Sequence, residues 1–314
     1  MKIIENTTEF NITEDTVVAI GKFDGFHKGH QELLNKLKEQ KCKGLATVVF
    51  TFVPSPAAFF SGDTIGELTT VEEKRKIFEK AGVDYLIEYP FCKETADMEP
   101  DVYIKHVLVE QINAKCIVAG EDVSYGRKGN GDYQLLVEKS HMYNYDVVII
   151  DKVLYQEKEI SSTYVREEVR NGNMELVRDL LGIPYHVGGK VVHGKKLGRT
   201  IGMPTVNLLP PKEKLLPPKG VYYSYIVIGS EDGNDKCYRA ITNIGTKPTV
   251  DDSLVMGVET YIYDFDDDLY GKDIEVFLLK YKRPEMRFSG VDELKEQMST
   301  DIEEGKAFHK TICL

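Results

Sequence analysis

The segment that decides the fold of the first half of this chain runs from Gly21 to His30 and reads GKFDGFHKGH. It follows the apolar run Val17–Ile20, and leucines at helical spacing come directly after it (Leu33, Leu34, Leu37). The pattern predicts a glycine-containing turn between a strand and a helix. In an open sheet of parallel strands, a helix that begins just after a strand is a common place for anions to bind.

Two histidines in this turn point to phosphate chemistry. His27 and His30 are three positions apart and share one face of a helical turn, with Asp24, Gly25 and Gly29 beside them. Their ring N–H groups can donate to phosphate oxygens whose charge grows during substitution at phosphorus, without acting as bases. A pair of surface histidines, or a metal site with Asp24 as the nearby carboxylate, are alternatives that these residues leave open.

The rest of the chain divides into two parts of different character. Further strand and helix signals alternate in the first part and predict a parallel sheet wrapped by helices (strands Thr47–Phe52, Ile117–Ala119 and Val147–Ile150; helices Val71–Lys80 and Val102–Ile112). After Ile183–Pro184 the chain is rich in glycine, proline, tyrosine and valine, and strands separated by turns precede one helix (strands Val221–Ile228, Val258–Ile262 and Ile274–Leu279; helix Val291–Ile302). This second part predicts an antiparallel barrel or sandwich with a C-terminal helix.

Composition limits the class of protein. A length of 314 residues favours two domains, and a net charge of −11 argues against a partner nucleic acid bound by phosphate neutralisation. The scattered cysteines (Cys42, Cys92, Cys116, Cys237, Cys313) lack zinc or redox spacing, so reduced thiols are expected. Neither a signal peptide nor an apolar run of membrane-helix length is evident, which predicts a cytoplasmic protein that does not associate with a membrane.

A second group of candidate residues lies at the start of the second part. The stretch Gly188–Leu208 contains turn glycines and basic residues that can surround a triphosphate, Lys195 and Arg199 among them. Thr205 and Asn207 alternate along a strand, so their oxygens face one side and suit Mg²⁺. Glu259, in an otherwise apolar run, can accept the proton of an alcohol that attacks phosphorus. A hairpin region with ordinary turn glycines and an exposed strand carboxylate is the alternative.

The segment Ile160–Arg166, ISSTYVR, completes the first group. Ser162 and Thr163 are helix-capping hydroxyl residues, and Arg166 can grip a phosphate through two parallel hydrogen bonds. A plain helix cap followed by a solvated arginine is the other interpretation.

The first half resembles the adenylyltransferase module of bacterial bifunctional riboflavin kinase/FAD synthetases, within the HxGH nucleotidyltransferase superfamily. The similar segments are Gly21–His30, TFVPSP at Thr51–Pro56, LTTVEEK at Leu68–Lys74, GEDVSYGRKGNGD at Gly120–Asp132, and ISSTYVR. The resemblance implies nucleotide-binding roles for one set of residues (Gly21, Phe23, Asp24, Gly25, Gly29, Gly120, Asp122, Ser162, Thr163). It implies catalytic roles for His27, His30 and Arg166. Ser55 departs from the family's histidine, and Val123 and Tyr125 depart from its aromatic loop.

The second half resembles the riboflavin kinase module of the same family. The matches are GKVVHGKKLGRTIGMPTVN at Gly189–Asn207, Gly220–Tyr222, Asn243–Gly245, Val258–Gly271, and the run from Arg283 to Phe288. The resemblance implies that Thr205 and Asn207 ligate Mg²⁺ and that Glu259 is the catalytic base. It implies substrate-binding roles for further residues (Gly189, Val191, Gly194, Lys195, Gly198, Arg199, Pro204, Arg283, Arg287).

The resulting expectation is a Rossmann-like nucleotidyltransferase domain at 1–183 and an antiparallel β-barrel kinase domain at 184–314. With ATP and Mg²⁺, the enzyme would phosphorylate riboflavin to FMN and then adenylylate FMN to FAD with release of pyrophosphate. Its partners would be small-molecule substrates. The alternatives are a nucleotidyltransferase for another phosphate acceptor, an enzyme whose kinase alone works because of Ser55, and a non-catalytic flavin sensor.

Overall fold

The structure is a computed structural model that describes residues 1–61, 66–194, 197–200, 202–229, 235–248 and 254–312. Its contacts separate into two compact units, Met1–Ser162 and Thr163–Leu314, which are described one at a time. Lys195 and Cys313 lie outside the described residues, as does the side chain of Arg199. The predicted boundary between residues 183 and 184 stays a prediction.

The first unit is built on a six-stranded sheet in which every paired neighbour is parallel. The strand order is β1-β4-β3-β2-β5-β6, with these bounds: β1 Lys2–Glu5, β2 Thr16–Ile20, β3 Ala46–Val53, β4 Tyr85–Pro90, β5 Ala114–Gly120, β6 Asp146–Ile150. A two-stranded hairpin follows (β7 Leu154–Tyr155, β8 Lys158–Glu159). The predicted parallel sheet is confirmed.

Helices join these strands. Their bounds are α1 Lys28–Lys41, α2 Pro56–Ser61, α3 Val71–Lys80, α4 Lys93–Ala96, α5 Pro100–Val102 and α6 Tyr133–Tyr143, with a short 3₁₀ turn at Arg127–Gly129. Side chains of β2 alternate between two buried clusters: Val18 packs into one, and Val17 and Ala19 pack into the other. The sheet therefore buries apolar residues on both faces, as a parallel sheet covered by helices requires.

The predicted helix Val102–Ile112 has different hydrogen bonding from the one expected. Residues Tyr103–Gln111 continue α5 as a π-helix, and the amide of Ile112 donates to the carbonyl of Val107, five residues earlier, at 3.0 Å. Two rows of side chains in this helix are buried, and within each row the residues are four positions apart. The rows are Tyr103, Val107, Gln111 and Ile104, Leu108, Ile112. Apolar spacing of three and four cannot distinguish this helix from an α-helix.

The second unit contains a closed six-stranded barrel in the order β10-β13-β12-β11-β14-β9. The strands are β9 Tyr185–Val192, β10 Thr205–Leu208, β11 Gly220–Ile228, β12 Lys236–Pro248, β13 Leu254–Ile262 and β14 Asp273–Arg283, and all pairs are antiparallel. Because β9 pairs with both β10 and β14, the sheet closes, and the structure is a barrel, not a sandwich.

Among the described residues, four further helices follow: α7 Ser162–Asn171, whose first residue is the last of the first unit, α8 Met174–Leu181, α9 Leu197–Thr200 and α10 Val291–His309. The predicted C-terminal helix is confirmed and extends seven residues beyond Ile302, which packs against a patch formed by Val221, Ile241 and Tyr263. Within the described residues, no helix combines the length and apolar character that a membrane span needs. The cysteines in those ranges are free.

Two candidate active sites

The turn between β2 and α1 has a backbone that few residues adopt. Phe23 (φ 48°), Gly25 (φ 84°) and Phe26 (φ 46°) are all in the left-handed region. A Cβ on Gly25 would lie 2.6 Å from Cδ1 of Leu68, so the position has room for glycine alone. Non-glycine residues are held in this region only where surrounding contacts fix them.

Hydrogen bonds from two other segments fix the turn. The hydroxyl oxygen of Thr69 accepts from the Gly25 amide at 2.8 Å, and the Thr69 amide donates to Oδ1 of Asp24 at 3.0 Å. Ser162 Oγ donates to the carbonyl of Asp24 at 2.7 Å. Thr69 of the LTTVEEK segment and Ser162 of the ISSTYVR segment therefore both bind Asp24. The Asp24 carboxylate accepts from a backbone amide of the first segment, and the Asp24 carbonyl accepts from the side chain of the second.

His27 and His30 stack on each other, with ring centroids 3.9 Å apart, and are only 8% and 9% exposed. Among the described residues, neither Nδ1 atom has a hydrogen-bond partner. Burial lowers the pKa of His27 to about 4, against a smaller opposing effect of Asp122 and Asp24. Burial, and to a smaller extent His27, also lowers the pKa of His30 well below its ordinary value. Both rings are therefore neutral near pH 7 and can each present one N–H.

Two residues of the predicted loop Gly120–Asp132 lie beside the histidines. Gly120 ends β5, and a Cβ there would lie 2.8 Å from Oδ1 of Asp122. The carboxylate of Asp122 exerts the largest of the electrostatic effects that raise the pKa of His27, against its burial. Tyr125, in contrast, is buried and packs against Tyr103, so it belongs to the core.

The other predicted residues of this group have simple surroundings. A Cβ on Gly21 would lie 3.0 Å from the Phe23 ring, and one on Gly29 would lie 3.2 Å from the His27 ring. Phe23 is buried and packs on His30. Thr163 and Arg166 lie on α7, on the second unit's side of the division, and their phosphate-binding roles stay predictions.

In the barrel, three candidate side chains lie on neighbouring strands. Thr205 Oγ1 donates to Oε1 of Glu259 at 2.5 Å. Asn207 on β10 is the register partner of Glu259 on β13, which in turn is the partner of Asn243 on β12. Side chains at paired positions project from the same face of a sheet, so hydroxyl, amide and carboxylate oxygens are gathered there. This donor set is hard, which fits Mg²⁺.

The glycines of the second group give the neighbouring chain room. A Cβ on Gly194 would lie 2.6 Å from the Asn207 amide, and one on Gly198 would lie 2.3 Å from the Met203 carbonyl. Gly189 lies in β9 opposite Ile274. A pocket of about 210 Å³ is lined by Val191, Pro204, Thr205, Val206, Ile262 and the segment 265–270.

Arg283 has a structural partner in α10. Its guanidinium pairs with both carboxylate oxygens of Asp301, which also accepts from Lys282 Nζ at 2.6 Å and from Gln297 at 3.0 Å. Arg287 is exposed. The acidic run Asp264–Asp268 is an exposed turn apart from Phe265, and no metal-binding cluster of histidine, cysteine or carboxylate side chains occurs within the ranges that the structure describes.

Sequence reasoning missed three features of these sites. Thr69, which fixes the turn, was included in the matched segment LTTVEEK but was given no role of its own. Asn243 was likewise included only in the matched segment Asn243–Gly245. Phe59 and Phe60, on α2 in the segment that follows β3, expose aromatic surface, with Phe60 72% exposed. Adjacent aromatics after a strand were the available signal.

Comparison with known proteins identifies the family. A model of the FAD synthetase family matches residues 9–164, and a model of the riboflavin kinase family matches residues 181–309. The chain is 37% identical over 290 residues to the bifunctional riboflavin kinase/FMN adenylyltransferase of Escherichia coli (strain K12), covering 92% of this chain and 91% of that one. The chain belongs to the bifunctional riboflavin kinase/FAD synthetase family.

Other relatives extend the similarity along the chain. The bifunctional riboflavin kinase/FMN adenylyltransferase of Buchnera aphidicola is 36% identical over 317 residues, covering 99% of this chain and all of that one. A crystal structure from Streptococcus pneumoniae, titled a macrolide-efflux protein, is 31% identical with a TM-score of 0.80 and covers 97% of this chain and 98% of that one. As a member of the riboflavin kinase/FAD synthetase family, the chain is a transferase with two enzymatic modules.

Proposed function

We propose that the barrel phosphorylates riboflavin to FMN and that the parallel-sheet unit transfers AMP from a second ATP to FMN, giving FAD and pyrophosphate. The observation that carries the kinase assignment is the contact between Thr205 and Glu259 beside Asn207. The adenylyltransferase assignment rests on the buried, stacked pair of His27 and His30 at the start of α1.

In the kinase reaction, Glu259 accepts the proton of the primary alcohol as that oxygen attacks the γ-phosphorus of ATP. Thr205 donates a hydrogen bond to the same carboxylate and fixes its direction. Thr205 and Asn207 would hold Mg²⁺, which supplies charge neutralisation on the phosphates when it is bound. The neighbouring Gly194 leaves space for the Asn207 amide.

In the adenylyl transfer, the phosphate of FMN is already ionised and attacks the α-phosphorus of ATP while pyrophosphate leaves. No general base is needed, so alignment and charge stabilisation carry the rate. Neutral His27 and His30 donate N–H groups to the phosphate oxygens, and the amides that begin α1 are oriented the same way. Thr163 and Arg166 are assigned to the pyrophosphate from the ISSTYVR motif.

An aromatic patch at the carboxyl edge of the sheet suits the flat ring system of FMN. Phe52, Phe59, Phe60 and Phe91 form edge-to-face contacts with centroids 5.1–5.8 Å apart. Ser55, which stands where relatives carry histidine, accepts a hydrogen bond from the Ala58 amide at 3.3 Å and so begins α2, the helix that carries Phe59 and Phe60. Exposed aromatic surface of this kind binds flat apolar ligands.

A time course tests the proposal. The pure chain is incubated with riboflavin, ATP and Mg²⁺, and riboflavin, FMN and FAD are separated by chromatography. FMN should appear first and FAD second. Accumulation of FMN without FAD would leave the kinase assignment standing and refute the adenylyltransferase assignment. Failure to consume riboflavin while supplied FMN is converted to FAD would do the reverse.

A further inference from the structure

The left-handed backbone at Phe23, Gly25 and Phe26 is held by contacts from outside the turn. Two of these residues carry side chains, and each such residue costs free energy unless its surroundings determine its conformation. The centre of the turn lies at Asp24 and Gly25, ahead of His27.

Thr69 contacts the centre of the turn through both its side chain and its backbone. Its hydroxyl accepts from the Gly25 amide at 2.8 Å, and its own amide donates to Asp24 Oδ1 at 3.0 Å. Thr69 and Asp24 are buried, so water does not readily replace these bonds. The side chain of Leu68, the preceding residue, packs against Gly25.

The rigid support of Thr69 is α3. The next residue, Thr70, begins this helix with a capping box, in which its hydroxyl accepts from the Glu73 amide while the Glu73 carboxylate accepts from the Thr70 amide. Farther along α3, Arg75 pairs with Glu88 on β4. Thr69 therefore directly precedes the N-cap residue of a helix that is anchored to the sheet.

We infer that Thr69 is a positioning residue for adenylyl transfer, which holds the Asp24–Gly25 turn so that His27 and the first amides of α1 face the phosphates before ATP binds. Thr69 does not contact the reacting atoms. This inference rests on the proposed adenylyltransferase function and adds to it the residue that preorganises the phosphate-binding turn.

The test compares Thr69→Val with Thr69→Ser. Valine keeps the shape but leaves the Gly25 amide without its acceptor, whereas serine retains the hydroxyl. We expect Thr69→Val to lower kcat/KM for FAD formation from FMN by about 10- to 100-fold, the range that an unsatisfied buried amide implies. Thr69→Ser should recover most of this loss, and FMN formation from riboflavin by the same chains should stay at the wild-type rate.

Thr47→Val is the matched control. Thr47 is as deeply buried, and its hydroxyl accepts from the Asp84 amide at 3.0 Å, but it lies near the start of β3, at the amino edge of the sheet. It should lose stability without lowering kcat/KM for FAD formation. An equal loss in Thr47→Val and Thr69→Val would show a general structural effect and overturn the inference.

Hydrogen exchange provides a readout that does not depend on turnover. In Thr69→Val, amides of the segment 21–30 should exchange faster than in the wild type, while peptides from the barrel should not change. If the wild type makes FAD and Thr69→Val matches it in both rate and exchange, the positioning role is refuted. If the wild type makes no FAD, the proposed function fails, and the exchange result still decides whether Thr69 holds the turn.

Discussion

Replacing Gly25 by alanine would force a side chain onto φ +84° and place its methyl group 2.6 Å from Cδ1 of Leu68. The left-handed backbone costs alanine about 1–2 kcal/mol, and insertion of a methyl group into a filled site costs about 1–3 kcal/mol. Since Leu68 is 1% exposed and cannot move into solvent, both terms should apply. The expected loss in the free energy of unfolding of the first unit is therefore about 2–5 kcal/mol.

Gly82→Ala separates the two terms. Gly82 has φ +75°, but nothing lies within 4 Å of a Cβ built there, so the backbone term alone should remain, about 1–2 kcal/mol. The chain has no tryptophan, so the urea dependence of amide exchange in β2 is the suitable assay for the first unit. Equal destabilisation by Gly25→Ala and Gly82→Ala would refute the steric part of this reasoning.

Three further predictions concern both units. Asp301→Asn should destabilise the barrel unit by about 3–5 kcal/mol, because it leaves the guanidinium of Arg283 without its buried partner, and urea unfolding monitored in barrel peptides would measure this. The folded pKa of His27, about 4, lies below the unfolded value near 6.5, so its contribution to stability is complete above about pH 6.5 and is lost as pH falls toward 4. Between pH 7 and 5 the free energy of unfolding of the wild type should fall by about 2 kcal/mol more than that of a His27→Asn chain. Parallel plots of the free energy of unfolding against pH for the two chains would contradict the burial of this ring. Gly194→Ala should displace the Asn207 amide and slow FMN formation at least tenfold, about 1.4 kcal/mol in barrier, while FAD formation from supplied FMN continues unchanged.

Local patterns were sufficient for the elements and the fold class. The apolar run before Gly21 and the leucines after it predicted β2 and α1, and Val71–Lys80 was predicted with the bounds that α3 has. These elements depend on short-range spacing and capping, which a single sequence displays. The same patterns left barrel and sandwich open, because closure depends on the pairing of β9 with two distant strands.

The contacts that assemble the sites depend on strand register and long-range packing. Asn207 and Glu259 are separated by many residues, and their alternation in each strand does not reveal that they are register partners. Thr69 and Gly25 meet for the same reason, through the position of α3 against the sheet. The residue types in the sequence therefore indicated the chemistry of both sites. Which of these residues contact one another could be seen only in the folded chain.

The claim of two separate sites is tested most directly by Glu259→Gln. Glutamine keeps an oxygen that can accept from Thr205 Oγ1 and loses the basicity that the kinase step requires. Supplied with riboflavin, ATP and Mg²⁺, this chain should form neither FMN nor FAD, and supplied with FMN it should form FAD at the wild-type rate. Normal FMN formation would contradict the assignment of the base, and loss of FAD formation from FMN would contradict two separate sites.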